Sequence, residues 1–133
     1  MTATFSNAPL VDSDVWIDYL RGVSQAVAFV ADLPQQTVIS AVSVAELYVG
    51  VREGRERKTL DNLLSTLVVV EVTQRVAING GLLRRKFGPS HGVGLNDALI
   101  AATAMAHGLV LHTLNVKHFP MLEAAQLRLA YAK

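Results

Sequence analysis

Five short apolar runs, set between stretches with helical periodicity, constrain this chain more than any other feature. The runs are Pro9-Leu10-Val11, Thr37-Val38-Ile39-Ser40, Val68-Val69-Val70-Glu71-Val72, Leu109-Val110-Leu111-His112 and, less regular, Leu127 to Ala130. Each is too short for a core-facing helix, and the Val and Ile in most of them favour strands. The intervening helices read as Val15–Leu20 with Gly22 as stop, Val23–Leu33 ended by Pro34, and Ser43–Val51 closed near Gly54. They continue with Arg55–Leu67, then Gln74–Phe87 behind a Thr73 cap and ended by Gly88-Pro89. The last opens at Asn96 or Asp97 and stops at His107-Gly108. Residues Ser90 to Gly94 read as a flexible loop, and Asn115 to Met121 as a loop with a short turn. Strands that are apolar throughout, alternating with helices, predict a parallel sheet buried on both faces. The predicted fold is therefore α/β: a three-layer sandwich with a central parallel sheet of four to five strands flanked by helices. With 133 residues and no repeat, linker or low-complexity tract, the chain is expected to form one domain, 1–133.

Composition removes several chemistries. There are no cysteines, so disulfides, thiolate metal sites and cysteine nucleophiles are excluded, and a reducing cytoplasm is the expected location. A formal charge of +1 is not that of a polycation, so any nucleic-acid contact must be local. No run approaches the roughly 18 apolar residues of a membrane span. Residues Met1 to Ala8 lack a positive segment followed by a long apolar run, so no secretory signal is expected.

Eleven Asp and Glu residues cannot all serve one site. Asp18, Asp32, Glu53, Glu56, Asp61 and Glu123 fall among polar neighbours on helical stretches and read as solvated, and Glu71 as pointing outward from its strand. Four remain, each with a structural reading of its own. Asp12 follows the first strand. Asp14, two residues on, lies on the same side of the chain if the strand continues, roughly 7 Å away, or else caps a helix. Ser43-Val44-Ala45-Glu46 fits a capping box, and Asp97 suits a helix N-terminus. Strand ends and helix starts share one edge of a parallel sheet, where ligands gather. Carboxylates crowded there repel unless neutralised. With no Lys or His inside these motifs, that points to a cation, and oxygen-only ligands favour Mg²⁺ or Mn²⁺.

Four segments occur in order: Val11-Asp12-Ser13-Asp14-Val15-Trp16-Ile17-Asp18-Tyr19-Leu20, Ser43-Val44-Ala45-Glu46-Leu47-Tyr48-Val49-Gly50, Asn96-Asp97-Ala98-Leu99-Ile100-Ala101-Ala102-Thr103-Ala104 and Thr113-Leu114-Asn115-Val116-Lys117-His118-Phe119. Together they resemble the PIN-domain nucleases, and specifically the VapC-type toxins of type II toxin–antitoxin pairs. The resemblance implies a Mg²⁺- or Mn²⁺-dependent endoribonuclease that cleaves RNA phosphodiester bonds with metal-activated water. It carries the three family acids onto Asp12, Glu46 and Asp97, with Asp12 and Asp97 as main ligands. Asn115 falls where the family often has a fourth acid, which argues for one well-held metal. Asp14 and Thr113 become supporting groups. RNA contacts are expected from Arg84, Arg85, Lys86 and Lys117, and also from Arg21 and Arg52. The resemblance further implies a cognate VapB-like antitoxin and a homodimer, with Trp16, Leu20, Val49 and Val51 as candidate apolar contacts. None of the four histidines is assigned a catalytic role. Two other readings stand beside this one. Asp12-Ser13-Asp14-Val15 resembles the nucleophile motif of haloacid dehalogenase-type phosphatases, and a catalytically silent PIN fold would act as a binding module.

Overall fold

The computed structural model describes residues 7–133; the absence of a secretory signal, read from residues 1–8, therefore falls mostly outside the described residues. Five strands form one parallel sheet: β1 (Pro9–Val11), β2 (Val38–Ser40), β3 (Val68–Val70), β4 (Val110–Thr113) and β5 (Leu127–Leu129). Their order is β3-β2-β1-β4-β5, so the chain winds outward from β1 to one edge and then returns to build the other. The switch between those directions lies between β1 and β4, the place where open α/β sheets leave a crevice at their carboxyl ends. Val11 is in register with His112 there. Six helices accompany the sheet among the described residues: α1 (Ser13–Leu20), α2 (Ser24–Ala31), α3 (Ala41–Gly50), α4 (Arg55–Leu64), α5 (Gln74–His91) and α6 (Leu95–His107). None is long and apolar enough to cross a membrane.

The central strands are buried on both faces, which is why Leu10-Val11 of β1 and Val38-Ile39 of β2 are apolar at adjacent positions, whereas the edge strand β5 carries the exposed Arg128. Leu10 and Val38 pack with Ile100, Ala101, Ala104 and Phe119 on one side, whereas the adjacent Val11 and Ile39 pack with Val15, Trp16, Leu47 and Leu60 on the other. Small residues let α5 and α6 approach closely. A Cβ added at the buried Gly80 of α5 would lie 2.5 Å from Leu99 Cδ2 and 3.2 Å from Leu99 Cα.

Several boundaries differ from the sequence reading, each for a local reason. Helix α3 starts at Ala41 because the Ser40 hydroxyl accepts from Val42 N–H; Ser43 is buried inside the helix, and no Ser43–Glu46 capping box forms. Strand β3 ends at Val70 because its partner residue, Ser40, is where β2 turns into α3. Helix α4 stops at Leu64, short of Leu67. Helix α5 runs through Gly88-Pro89 to His91. Pro89 forfeits one backbone bond, but the helix closes further on, where Gly92 takes the left-handed conformation (φ 66) and its N–H reaches Gly88 O at 2.8 Å. The buried Val93 pins the chain just beyond. The expected loop at 90–94 shrinks to Gly92–Gly94. Trp16 is wholly buried, so it belongs to the core and not to a contact surface, while Val49 is 90% exposed.

Asp18 also departs from its expected solvated face. It is buried and accepts from Tyr131 Oη and Lys133 Nζ, both at 2.9 Å. These donors hold its carboxyl below the ordinary value of 3.8 against the raising effect of burial. The C-terminal residues are thereby tied to α1.

Candidate active site

The carboxyl ends of β1 and β4 bring two acids and a hydroxyl together. Asp12 follows β1 and is itself the N-cap of α1, its Oδ1 accepting from Ser13 N–H at 2.8 Å. The chain turns helical at once, so Asp14 sits in the first turn of α1 and not two residues along an extended strand. What joins the pair is Thr113 at the end of β4. Its Oγ1 lies 2.9 Å from Asp12 Oδ2 and 3.1 Å from Asp14 Oδ2, while accepting from Asn115 N–H at 3.1 Å. A hydroxyl has one proton and serves one carboxylate at a time. The second contact is satisfied only by a proton or a cation between the acids.

The carboxyl of Asp12 accordingly rises from 3.8 to about 7, first through burial and then through the neighbouring charge of Asp14. The bonds from Thr113 and Ser13 oppose that rise, and Asp97 adds to it. Asp14 is also raised, chiefly by burial, although its Oδ2 accepts from Leu114 N–H and Asn115 Nδ2, each at 3.0 Å, as well as from Thr113. Its other oxygen, Oδ1, is buried and has no hydrogen-bond partner.

The remaining acids arrive from helices on either side. Glu46 lies in the second turn of α3, where Ser13 Oγ donates to Oε1 at 3.0 Å and Asn96 Nδ2 to Oε2 at 3.3 Å. Asp97 lies in the first turn of α6, behind the Gly94 N-cap. Burial raises its carboxyl; nearby His118 opposes this, and the charges of Glu46 and Asp14 add to it. His118 Nδ1 stands 3.3 Å from Asp97 Oδ2. Asp12, Asp14, Glu46 and Asp97 are thus linked by mutual repulsion or shared donors at one sheet edge, and among the described residues neither a Lys nor an Arg forms an ion pair with any of them.

Their oxygens nevertheless point to separate donors, and among the described residues no group of three or more His, Cys, Asp or Glu side chains is already spaced to hold a metal ion. Ser13 and Asn96 donate to the two oxygens of Glu46, while His118 meets Asp97. The chemistry of the set still fits a hard divalent cation. Every acidic donor is a carboxylate, the buried Asp14 Oδ1 has no partner, and ionising Asp12 beside Asp14 requires positive charge nearby.

Asn115 stands where a fourth acid was considered, and its amide donates to Asp14. Arg84, Arg85 and Lys86 are exposed on α5, some ten Å along the helix from its C-terminal end. The short link Gly92–Gly94 returns the chain from that end to the start of α6, where Asp97 lies. Lys117 is exposed on the 3-10 turn Val116–His118. Three residues that touch the acids, Ser13, Asn96 and His118, have no catalytic role in the sequence reading, although His118, beside Phe119, is expected there to be able to approach the site. Ser13 and Asn96 were legible as polar neighbours of Asp12 and Asp97. The spacing of His118 matches no metal motif, and only the turn after β4 delivers it.

The chain also has relatives among known proteins. A family model described as PIN domain matches residues 10–119. Ribonuclease VapC10 of Mycobacterium tuberculosis is 44% identical over 117 residues, covering 86% of this chain and 87% of that protein. Ribonuclease VapC19 of the same organism is 39% identical over 116 residues, covering 84% and 92%. Among solved structures, a toxin–antitoxin complex from Klebsiella pneumoniae superposes with a TM-score of 0.79 at 28% identity, covering 93% of this chain and 98% of that one. DNA-bound VapBC from Salmonella typhimurium gives 0.77 at 21% identity over 92% and 97%, a likeness of fold alone. The haloacid dehalogenase reading of Asp12 and Asp14 is set aside by this match. The chain belongs to the PIN-domain family, and within it to the VapC-type group.

Proposed function

We propose that this chain is a Mg²⁺- or Mn²⁺-dependent endoribonuclease, the toxin of a toxin–antitoxin pair acting in the cytoplasm. The observation that supports the reading is the buried Asp12 at the β1–β4 switch, pressed by the charges of Asp14 and Asp97 so that it does not ionise comfortably. Asp12 and Asp97 would hold the cation as main ligands, with Glu46 completing the set. A cation held there would supply charge to the scissile phosphate and acidity to the attacking water. Thr113 and Asn115 keep Asp12 and Asp14 facing the same space. Glu46, partly exposed at the rim, takes the proton of the water. Phosphates on either side of the scissile bond contact Arg84, Arg85, Lys86 and Lys117, which restores near the acids the positive charge the whole molecule lacks.

The antitoxin occupies the groove between α1 and α3, lined by Ile17, Leu20, Leu47 and Val51 with Arg21, Glu46 and Glu56 at its polar side. An apolar helix or tail with a basic side chain suits that lining and approaches the acids through Glu46. A second copy of the chain forms a homodimer.

The test offers the purified protein RNA and a small phosphomonoester, with Mg²⁺, with Mn²⁺ and with EDTA. Cleavage of RNA internally, dependent on the metal, is expected. Turnover of the monoester with RNA left intact, or equal cleavage in EDTA, overturns the reading.

A further inference from the structure

The end of β4 and the turn after it deliver three side chains to the acids, and only two of them serve the Asp12–Asp14 pair. Thr113 and Asn115 bind that pair. The third, His118, closes on Asp97 on the other side of the site. The turn that carries it is fixed at both ends. His118 N–H reaches Asn115 O at 3.0 Å, Phe119 N–H reaches Val116 O at 3.1 Å, and the Phe119 side chain is buried in the core. The imidazole itself is 58% exposed, so it contributes little to the core, and the ring atom nearest Asp97 is Nδ1.

Asp97 needs such a partner. Asp12 is fixed by two donors and Asp14 by three, but no other side chain contacts the Asp97 carboxylate among the described residues. It stands in the first turn of a helix whose cap is a glycine with no side chain to offer. Without a tether its carboxylate is free to rotate among its staggered positions. Carboxylates that hold cations are oriented by such outer contacts, and losing one typically weakens metal binding about 10–100-fold.

We propose that His118 is a positioning residue that orients Asp97 for cation binding through its Nδ1 atom. This rests on the reading of Asp97 as a metal ligand. The role is specific to one atom, which makes it testable by shape. An asparagine amide nitrogen reaches the place of Nδ1, whereas a glutamine amide nitrogen reaches that of Nε2.

The experiment measures Mn²⁺ affinity by calorimetry and by electron paramagnetic resonance for the wild type and for His118→Ala, His118→Gln and His118→Asn, with circular dichroism melts as a folding control. The exposed ring makes all three variants compatible with the fold. The expected result is a dissociation constant raised about 10–100-fold in His118→Ala and similarly in His118→Gln, with His118→Asn close to the wild type. RNA cleavage at limiting Mn²⁺ follows the same order and recovers at saturating Mn²⁺. Affinity in His118→Ala equal to the wild type, or rescue by glutamine and not by asparagine, overturns the proposal. A wild type that neither binds Mn²⁺ nor cleaves RNA instead overturns the reading of the site itself, so the two failures are distinguishable.

Discussion

Replacing Asp12 with asparagine is predicted to stabilise the metal-free protein, and only above a definite pH. In the folded chain the carboxyl of Asp12 rises from 3.8 to about 7, burial being the first cause and Asp14 the second. A raised carboxyl binds its proton more tightly folded than unfolded. Its stabilising contribution is therefore complete below the ordinary value near 3.8 and is lost as the pH climbs to the folded value near 7 and beyond. About three units at ~1.4 kcal/mol each give a loss of about 4 kcal/mol across that window. Asparagine keeps the local bonds. Its carbonyl accepts from Ser13 N–H, and its amide donates to Thr113 Oγ1, freeing that hydroxyl's proton for Asp14. Asp14 and Asp97 ionise in both proteins, so the difference between the two stability curves isolates Asp12 and its coupling to them. Thermal melts in EDTA from pH 4 to pH 9 are expected to coincide near pH 4. They should separate to on the order of 10 °C in favour of Asp12→Asn above pH 8, at roughly 3–5 °C per kcal/mol for a domain of this size. Adding Mn²⁺ raises the wild-type Tm by ligand linkage and leaves the variant's nearly unchanged. A gap independent of pH, or a variant less stable than the wild type at pH 8, refutes the argument that Asp12 is charged at a structural cost.

Other consequences are local. Thr113→Val keeps the shape but removes the hydroxyl between Asp12 and Asp14, so urea melts at pH 8 should show a loss of about 1–3 kcal/mol. Tyr131→Phe removes one of the two donors to Asp18. Because Asp18's carboxyl is lowered in the fold, the loss of about 1 kcal/mol should be present above its ordinary value and fade as the pH falls below the folded value; an equal loss at low pH contradicts the contact. Gly80→Val forces a side chain into Leu99 and should lower stability by about 1–3 kcal/mol or more in the same melts.

What the sequence made legible follows from the range over which each signal acts. The sheet was readable because strands buried on both faces are apolar at adjacent positions, as Leu10 and Val11 are. Helix α6 was readable from its alanines and from Gly108, which ends it in a left-handed turn. Asp12, Glu46 and Asp97 were readable as candidates because each stands where a parallel sheet gathers its ligands. The misses involve partners far along the chain or competing local choices. Asp18 reads as a solvated helix acid until Tyr131 and Lys133, more than 110 residues later, reach it. The capping box at Ser43 lost to Ser40, which the end of β2 places first. Gly88-Pro89 looked like a helix end, but the stop is set by Gly92 with Val93 behind it. His118 carries no motif of its own, and its role depends on a turn that swings it onto α6.

The central claim is that Asp12 and Asp97 form one cation-dependent site for RNA cleavage. The most direct test compares the wild type with Asp12→Asn and Asp97→Asn on total RNA, at matched protein concentration with Mn²⁺ and with circular dichroism to verify folding. The account predicts metal-dependent cleavage by the wild type and its loss in both folded variants. Cleavage persisting in either folded variant contradicts it.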